Sequence, residues 1–282
     1  MPAAEHRSAW LQLLPAAIAV LIGACPSTAS AQTSTVVDRS ALRVCADPAN
    51  LPFSNERRQG FENKIADLLG KELDLPVVYT WFPQATGFVR RTLREKKCDV
   101  IMGYAQGHEL VLNTNHYYRS AYVMVFRTGS DLDGLTALDD PRLQSKKIGI
   151  IAGTPPATLL AFNRLLANVV AFNLVVDRRH EAPAESMINQ LESGAIDVAI
   201  LWGPMGGYYA KQSTKDLTIA PLADPEKGPR MAFRITFGVR PTEIEWKHQL
   251  NEFIKDKQAE INAILTDFGV PLLDENDNLI KG

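Results

Sequence analysis

The chain has 282 residues, of which 46% are hydrophobic and 22% charged, and its net charge of −2 corresponds to a pI of about 6.2. This is the composition of an ordinary globular protein. The arginine pairs at residues 57–58, 90–91 and 178–179 lie among acidic residues or on predicted helix surfaces, so we interpret them as solvated. The charge pattern therefore excludes a basic field for nucleic acid or a polybasic membrane patch.

The first 31 residues have the features of a secretory signal. Arg7 precedes an apolar run that is too short for a convincing membrane span, and Ala-Ser-Ala stands before Gln32. We therefore expect cleavage after Ala31 and no membrane span in the mature chain. An N-terminal membrane anchor and a lipid attached to Cys25, which follows small residues, are the alternatives.

Two cysteines, Cys45 and Cys98, remain after this cleavage. An oxidising compartment allows them to pair, so we expect one disulfide, with two buried free thiols as the alternative. Two cysteines do not complete a four-ligand zinc site without histidines at matching spacing, and the sequence has none there.

From Leu42 onwards, short apolar runs alternate with stretches of helical periodicity. Residues 42–46, 77–82 and 98–103 are predicted strands. The helices between them carry apolar residues at helical spacing, namely Phe61, Ile65, Leu68, Leu69 and Leu73 in the first and Phe88, Val89 and Leu93 in the second. This order predicts a parallel sheet, because strands joined by helices need crossover connections.

A long β-branched and aromatic run at residues 117–129 interrupts this order, and we predict a strand that leaves one lobe for another. The alternation then restarts, and a second long run and an amphipathic helix end the chain. The predicted elements are strand 146–151, helix 154–167, strand 174–176, helix 184–193 closed by Gly194, strand 196–201, the extended run 230–239, and a helix with an apolar stripe from Leu250 to Leu265.

The two long runs predict two α/β lobes joined by a two-stranded hinge. We assign residues 40–126 and 232–282 to the first lobe and residues 127–231 to the second. The C-terminal helix would thus return to the first lobe.

Five segments rich in Pro, Gly and aromatic residues follow predicted strand ends: DPANLPF, PQATGF, GYAQGHE, AGTPP and WGPMGGYY. Ligands bind beyond the carboxyl ends of strands in open parallel sheets, so we expect these segments to line one cleft. The candidate ligand-cleft residues are Asp47, Asn50, Phe53, Trp81, Gln84, Tyr104, Gln106, Thr154 and Trp202. For Trp81 and Trp202, burial in the core is the alternative.

The segment GTPPATLL predicts a helix that is capped by Thr154 and has Pro155 in its first turn. Its free N–H groups would form an anion or carbonyl site, with ordinary capping as the alternative.

Catalytic motifs are absent from the sequence, which has no G-x-S-x-G elbow, Walker A loop, H-E-x-x-H helix or dinucleotide fingerprint. His108 and Glu109 raise the alternative of acid–base catalysis, but a lone loop histidine is more often a surface residue. The end LLDENDN lacks the glycine and the final glutamate of a calcium loop, so we expect a polar turn. We expect no catalytic residue and no metal site.

The segments LRVCADPANLPFSNERRQGFENKIADLL, YYRSAYVMVF and LESGAIDVAIL resemble the periplasmic solute-binding proteins of the amino-acid receptor type. The resemblance implies the type II periplasmic binding protein fold, with two lobes, each a mainly parallel sheet flanked by helices, and a two-strand hinge. Gly107 stands where those receptors have the arginine that binds the ligand carboxylate, and Trp202 where they have the acidic residue that binds its ammonium. Without both ionic contacts, amino-acid import is a poor hypothesis.

The segments YTWFPQATGFVRRTL, KKCDVIMG and HYYRSAYVMVF are similar to one branch, the MxaJ/XoxJ proteins, which are encoded beside PQQ-dependent methanol or alcohol dehydrogenases in Gram-negative bacteria. This implies a non-enzymatic periplasmic accessory protein that assists maturation, activation or cofactor loading of such a dehydrogenase. PQQ, with a lanthanide or calcium ion, would belong to that partner, and its cytochrome is a second candidate partner. The alternatives are a receptor that delivers a small non-amino-acid solute to an ABC permease, and a dehydratase-like enzyme that uses His108 and Glu109.

Overall fold

The computed structural model describes residues 39–107 and 109–280. The predicted signal at residues 1–31, with Cys25, lies outside the described residues, and so does His108. The first elements are β1 (Leu42–Ala46), β2 (Ala49–Asn50), β3 (Ser54–Asn55), α1 (Phe61–Glu72), β4 (Val77–Trp81), α2 (Phe88–Arg91), β5 (Val100–Ala105) and β6 (Leu112–Arg127). They are followed by a 3₁₀ helix (Pro141–Ser145), β7 (Ile148–Ile151), α3 (Pro156–Phe162), a second 3₁₀ helix (Leu166–Asn168), β8 (Val169–Phe172), α4 (Pro183–Ser193), β9 (Val198–Trp202), α5 (Gly203–Gln212), β10 (Leu217–Pro221), β11 (Ala232–Val239) and α6 (Ile244–Asp267).

Most strands form one sheet in the order β4-β1-β5-β11-β6-β9-β7-β8, with β10 also paired to β6. Each end of the sheet is parallel, and the strands in its middle are antiparallel. The long strand β6 changes partners halfway, because Ala121 lies opposite Ala232 of β11 and the next residue, Tyr122, lies opposite Trp202 of β9. We call strands β4, β1, β5 and β11 with α1 and α6 the β1 half, and strands β9, β7 and β8 with α3, α4 and α5 the β7 half.

Each half has its own hydrophobic core. In the β1 half, the apolar stripes of α1 and α6 cover the sheet, and Ile65, Leu69, Leu250 and Leu265 are fully buried there. In the β7 half, α3 packs on one face of the sheet, whereas α4 and α5 pack on the other. Burial of each such aliphatic side chain contributes about 1.5–3 kcal/mol.

A disulfide and a buried ionic cluster connect the strands of the β1 half. Cys45 of β1 is bonded to Cys98, just before β5, with Cα atoms 5.4 Å apart. The carboxylate of Asp99 is fully buried and accepts two hydrogen bonds from Arg43, at 2.7 and 2.6 Å, and one from Arg240, at 2.6 Å. Burial alone would raise the pKa of Asp99, but these guanidinium groups outweigh it and hold the pKa below its ordinary value.

The α/β fold class predicted from the sequence is confirmed, and several predicted elements need correction. The predicted strand 174–176 is wrong, because strand β8 precedes it and residues 174–176 belong to a loop. The predicted helix 154–167 is a short α-helix followed by a 3₁₀ helix, and the second predicted helix, α2, is also short. No sequence pattern predicted α5 or β10. The lobe boundaries at residues 126–127 and 231–232 stay a prediction.

Candidate functional site

A cleft between the β1 half and the β7 half contains two neighbouring cavities. The smaller, about 460 Å³, is lined by residues 48–51, 55–57 and Gln59 on one side and by residues 178–179, 181–185, Met205 and Tyr209 on the other. The larger, about 1040 Å³, is lined by residues 47–49, Glu56 and residues 83–86, and by residues 174–179. Both volumes are of the order of small-molecule sites, about 300–1,000 Å³.

The topology of the sheet explains why two loops of the β1 half together form one wall of the cleft. Asp47 comes directly after β1, and residues 83–86 come after β4. These strands are parallel neighbours, with Ala46 opposite Trp81, so their carboxyl ends meet at the same edge. The sequence predicts this meeting, because both segments follow predicted parallel strands.

Asp47 is the buried acidic group of the cleft, with 4% of its surface exposed. One carboxylate oxygen accepts a hydrogen bond from the backbone N–H of Ala49, at 2.9 Å, and the other from that of Gln84, at 2.7 Å. The second oxygen also lies 3.4 Å from Nη1 of Arg178 in the β7 half. Two backbone donors and one guanidinium thus satisfy this carboxylate.

Asn50 and Gln84 connect the two loops of the β1 half. The side-chain amide of Asn50 donates to Oε1 of Gln84 at 3.2 Å. Asn50 lines the smaller cavity and Gln84 the larger one. Together with Asp47, three of the predicted candidates lie at the cleft.

The loop at residues 173–182, between β8 and α4, supplies much of the opposite wall. Arg178 reaches across to Asp47, so the interpretation of this arginine as merely solvated is wrong. Its neighbour Arg179 is 73% exposed and pairs with Asp177 of the same loop at 2.6 Å. The Tyr209 hydroxyl makes a second, longer contact across the cleft, 3.5 Å from the carbonyl oxygen of Leu51. The sequence shows the charge of the arginine pair but not which acidic residue lies near it in the folded protein. The contact of Arg178 with Asp47 was therefore not predicted.

Trp202 lies in an aromatic cluster at the point where β6 changes partners. Its ring centroid is 5.5 Å from that of Tyr122 and 5.7 Å from that of Phe233. Burial raises the pKa of Tyr122 to about 12, so its phenol stays protonated at neutral pH. Trp202 is half-buried and lines neither cavity described above.

The remaining aromatic candidates lie outside both cavities. Phe53 packs against Phe61 of α1 with ring centroids 5.3 Å apart, and Trp81 stacks on Tyr79 at 4.5 Å. Tyr104 packs beside the disulfide. Core packing in the β1 half accounts for their positions.

Two polar candidates also lie outside the cavities. Gln106 is exposed just after β5, and its N–H donates to the carbonyl of Arg234. The Thr154 hydroxyl donates to the carbonyl of Ile151 at 2.6 Å, and α3 starts at Pro156 without a side-chain cap. The predicted capping role of Thr154 is therefore wrong.

Glu62, in the first turn of α1, is a carboxyl that the sequence analysis did not select. It is 7% exposed. Burial, and secondarily the negative charge of Asp47, raises its pKa to about 8, so the carboxyl is mostly neutral at pH 7. Gly103 of β5 provides room for it, since a Cβ there would lie 2.1 Å from Oε1 of Glu62.

The two positions that depart from the amino-acid receptors carry no ionic group. Gly107 is exposed, has a φ of +95°, and a Cβ there would meet nothing within 4 Å. At the second position, the indole of Trp202 packs among aromatic rings.

The C-terminal end forms the predicted polar turn. Asp274 accepts hydrogen bonds from the N–H groups of Asn276, at 2.8 Å, and Asn278, at 2.9 Å. Glu275 and Asp277 pair with arginines of β11 and β6.

Among the described residues, no group of three His, Cys, Asp or Glu side chains is arranged to hold a metal ion. No helix within residues 39–107 and 109–280 is long and apolar enough to cross a membrane.

Comparison with known proteins shows the family to which the chain belongs. No protein-family model matches the chain. The chain is 28% identical to protein MoxJ of Paracoccus denitrificans over 264 residues, which cover 89% of this chain and 96% of the relative. The crystal structure of MxaJ from Methlophaga aminisulfidivorans MPT matches with a TM-score of 0.72 and 26% identity, over 83% of this chain and 100% of that one. The crystal structure of the periplasmic binding protein XoxJ from Methylobacterium extorquens AM1 matches with a TM-score of 0.71 and 44% identity, also over 83% of this chain and 100% of that one. The chain therefore belongs to the MxaJ/XoxJ branch of the periplasmic binding proteins.

Proposed function

We propose that this chain is a non-enzymatic periplasmic accessory protein for a PQQ-dependent methanol or alcohol dehydrogenase, and that it assists maturation, activation or cofactor loading of that enzyme. The observation that carries this proposal is the 44% identity to XoxJ over that protein's whole solved length. The signal-like N-terminus, the disulfide and the similarity to periplasmic binding proteins support the periplasmic location. PQQ and its metal ion belong to the partner in this proposal.

The chemistry of the cleft supports a ligand other than a free amino acid. An α-carboxylate and an α-ammonium need charged or strongly polar partners when they leave water. The family positions for those partners are Gly107 and Trp202, and neither side chain has a charge.

The rim of the larger cavity supports a protein segment as the ligand. Val175 is 84% exposed and Leu174 is 49% exposed, although both are aliphatic. They line this cavity opposite Pro83 and Ala85. Exposed apolar side chains beside a groove are typical of protein interaction sites.

Deletion of the gene in its host, followed by complementation, tests the proposal. We expect dehydrogenase activity in periplasmic extracts to fall without the chain and to return with the wild-type gene. Val175→Glu should restore less activity, because a charge on the cavity rim opposes burial against a partner. Val78→Glu is the matched control, since Val78 is another exposed valine, 45% exposed, on the edge strand β4. Unchanged activity in the deletion strain would remove the basis of the proposal.

A receptor for a small non-amino-acid solute of an ABC transporter is the second candidate, and the volume of the smaller cavity favours it. A saturable rise in melting temperature with one compound from a solute panel would support this function. Such a ligand, together with normal dehydrogenase activity in the deletion strain, would favour the receptor function over the accessory function.

A further inference from the structure

The loop at residues 173–182 joins the two halves by a single ion pair. The loop belongs to the β7 half, where it connects β8 to α4. Its Arg178 guanidinium lies 3.4 Å from the carboxylate of Asp47 in the β1 half. Charge-assisted N–H···O bonds are usually about 2.7–2.9 Å long, so this pair is a long one.

Asp47 does not need Arg178 to remain satisfied. The backbone N–H groups of Ala49 and Gln84 already donate to its two oxygens, at 2.9 and 2.7 Å. Release of Arg178 would leave the carboxylate with both bonds, and the guanidinium would enter the water of the open cleft. The ion pair can therefore break at low cost compared with a fully buried pair.

Arg178 also lies between the two cavities. The smaller and the larger cavity share one part of their lining, which consists of Pro48, Ala49, Glu56, Arg178 and Arg179. Within this shared lining, Arg178 contacts the opposite half through Asp47, whereas Arg179 pairs within its own loop. The Arg178–Asp47 pair thus crosses the cleft where the two cavities meet.

We propose that Arg178 is a latch: its ion pair with Asp47 closes the cleft at the point between the two cavities, and its release joins them into one continuous groove. The Tyr209 contact with Leu51, at 3.5 Å, is too long to hold the cleft closed alone. The latch is a property of the cleft and does not depend on which molecule the cleft binds.

The test measures the separation of the halves in the full mature protein. Spin labels on Arg57→Cys and Glu185→Cys, which line opposite sides of the smaller cavity, report the distance across the cleft by pulsed electron paramagnetic resonance. In this labelled background, Arg178→Gln should raise the ratio of wide to narrow distances about two- to fivefold, the range expected for a partly exposed ion pair. Arg179→Gln removes the same charge from the same loop and should leave the ratio unchanged.

Salt provides a second measurement that needs no variant at Arg178. Raising NaCl from 0.05 to 1 M screens the pair and should widen the distances in the labelled parent, but not in the Arg178→Gln background. Equal distance distributions for the parent, Arg178→Gln and Arg179→Gln, with no response of the parent to salt, would overturn the latch. An equal response to both arginine substitutions would attribute the effect to loop charge and would likewise overturn it.

Discussion

Glu62 makes the stability of the protein depend on pH in a direction opposite to that of most carboxylates. In the unfolded chain this carboxyl loses its proton near pH 4.5, whereas in the folded protein it does so near pH 8. Between these values unfolding releases a proton, so the free energy of unfolding falls by about 1.36 kcal/mol for each pH unit as pH rises. The contribution of Glu62 is therefore fully present below pH 4.5 and lost as pH rises through about 8.

Glu62→Gln removes this dependence and keeps the shape of the side chain. The difference between pKa values of 4.5 and about 8 corresponds to at most about 5 kcal/mol, and entry of water on ionisation lowers it, so we expect about 2–5 kcal/mol. Between pH 5 and pH 8.5 the variant should gain about 2–4 kcal/mol relative to wild type, because part of the total lies outside this pH range. The free-energy cost of leaving the introduced amide without a hydrogen-bond partner is the same at both pH values. It therefore cancels from the difference between them.

Urea unfolding followed by circular dichroism at pH 5, 7 and 8.5 measures the effect. Glu56→Gln, the same change at an exposed position of the cleft, is the control. A constant difference between Glu62→Gln and wild type across this range would refute the assignment of a raised pKa to Glu62.

Three further substitutions test the framework that holds the cleft. Asp99→Asn removes a buried carboxylate that pairs with the half-exposed Arg43 and with Arg240, which keeps Glu243 as a second partner, and should lower the free energy of unfolding by about 1.5–3 kcal/mol in urea titrations. Replacement of Cys45 and Cys98 by serine opens a loop of sequence separation 53 and should cost about 4 kcal/mol, measured in the same way. Gly207→Ala introduces a Cβ only 1.8 Å from the carbonyl oxygen of Gly269, so it should lower the melting temperature, with a cost of about 1–3 kcal/mol.

The controls differ for the three substitutions. Asp256→Asn makes the same change at an exposed position of α6 and should stay within about 0.5 kcal/mol of wild type. Wild-type protein in reducing agent should reproduce the serine variant. A Gly207→Ala protein that melts at or above the temperature of wild type would show that α5 and Gly269, just after α6, do not need this close approach.

The sequence predicted the elements whose periodicity is strong. The apolar stripes of α1 and α6 and the alternating runs of β6 and β11 all fold as predicted, because their burial pattern fixes one conformation. Residues 174–176 form an apolar triplet, which does not distinguish a strand from an exposed loop, so the strand predicted there was wrong. The helix α5 was missed because Gly203, Gly206 and Gly207 give it a low helix propensity, whereas tertiary packing needs these glycines for close contact with β6 and with the segment after α6.

Part of the cleft could also be predicted, and the reason is topological. Asp47, Asn50 and Gln84 follow neighbouring parallel strands, so their meeting depends only on strand order. The pairing of Asp47 with Arg178 depends on how a loop of the other half crosses the cleft, which no local pattern encodes. Likewise, the raised pKa of Glu62 results from its burial against Gly103, a contact between α1 and β5.

Binding of the purified chain, produced from residue 32, to a purified PQQ-dependent dehydrogenase of the same host tests the proposed function most directly. We expect saturable binding in biolayer interferometry for wild type and Val78→Glu, and about tenfold weaker binding for Val175→Glu, which corresponds to about 1.4 kcal/mol. No binding of the wild-type chain to the dehydrogenase, with and without its cofactor, would contradict the accessory function.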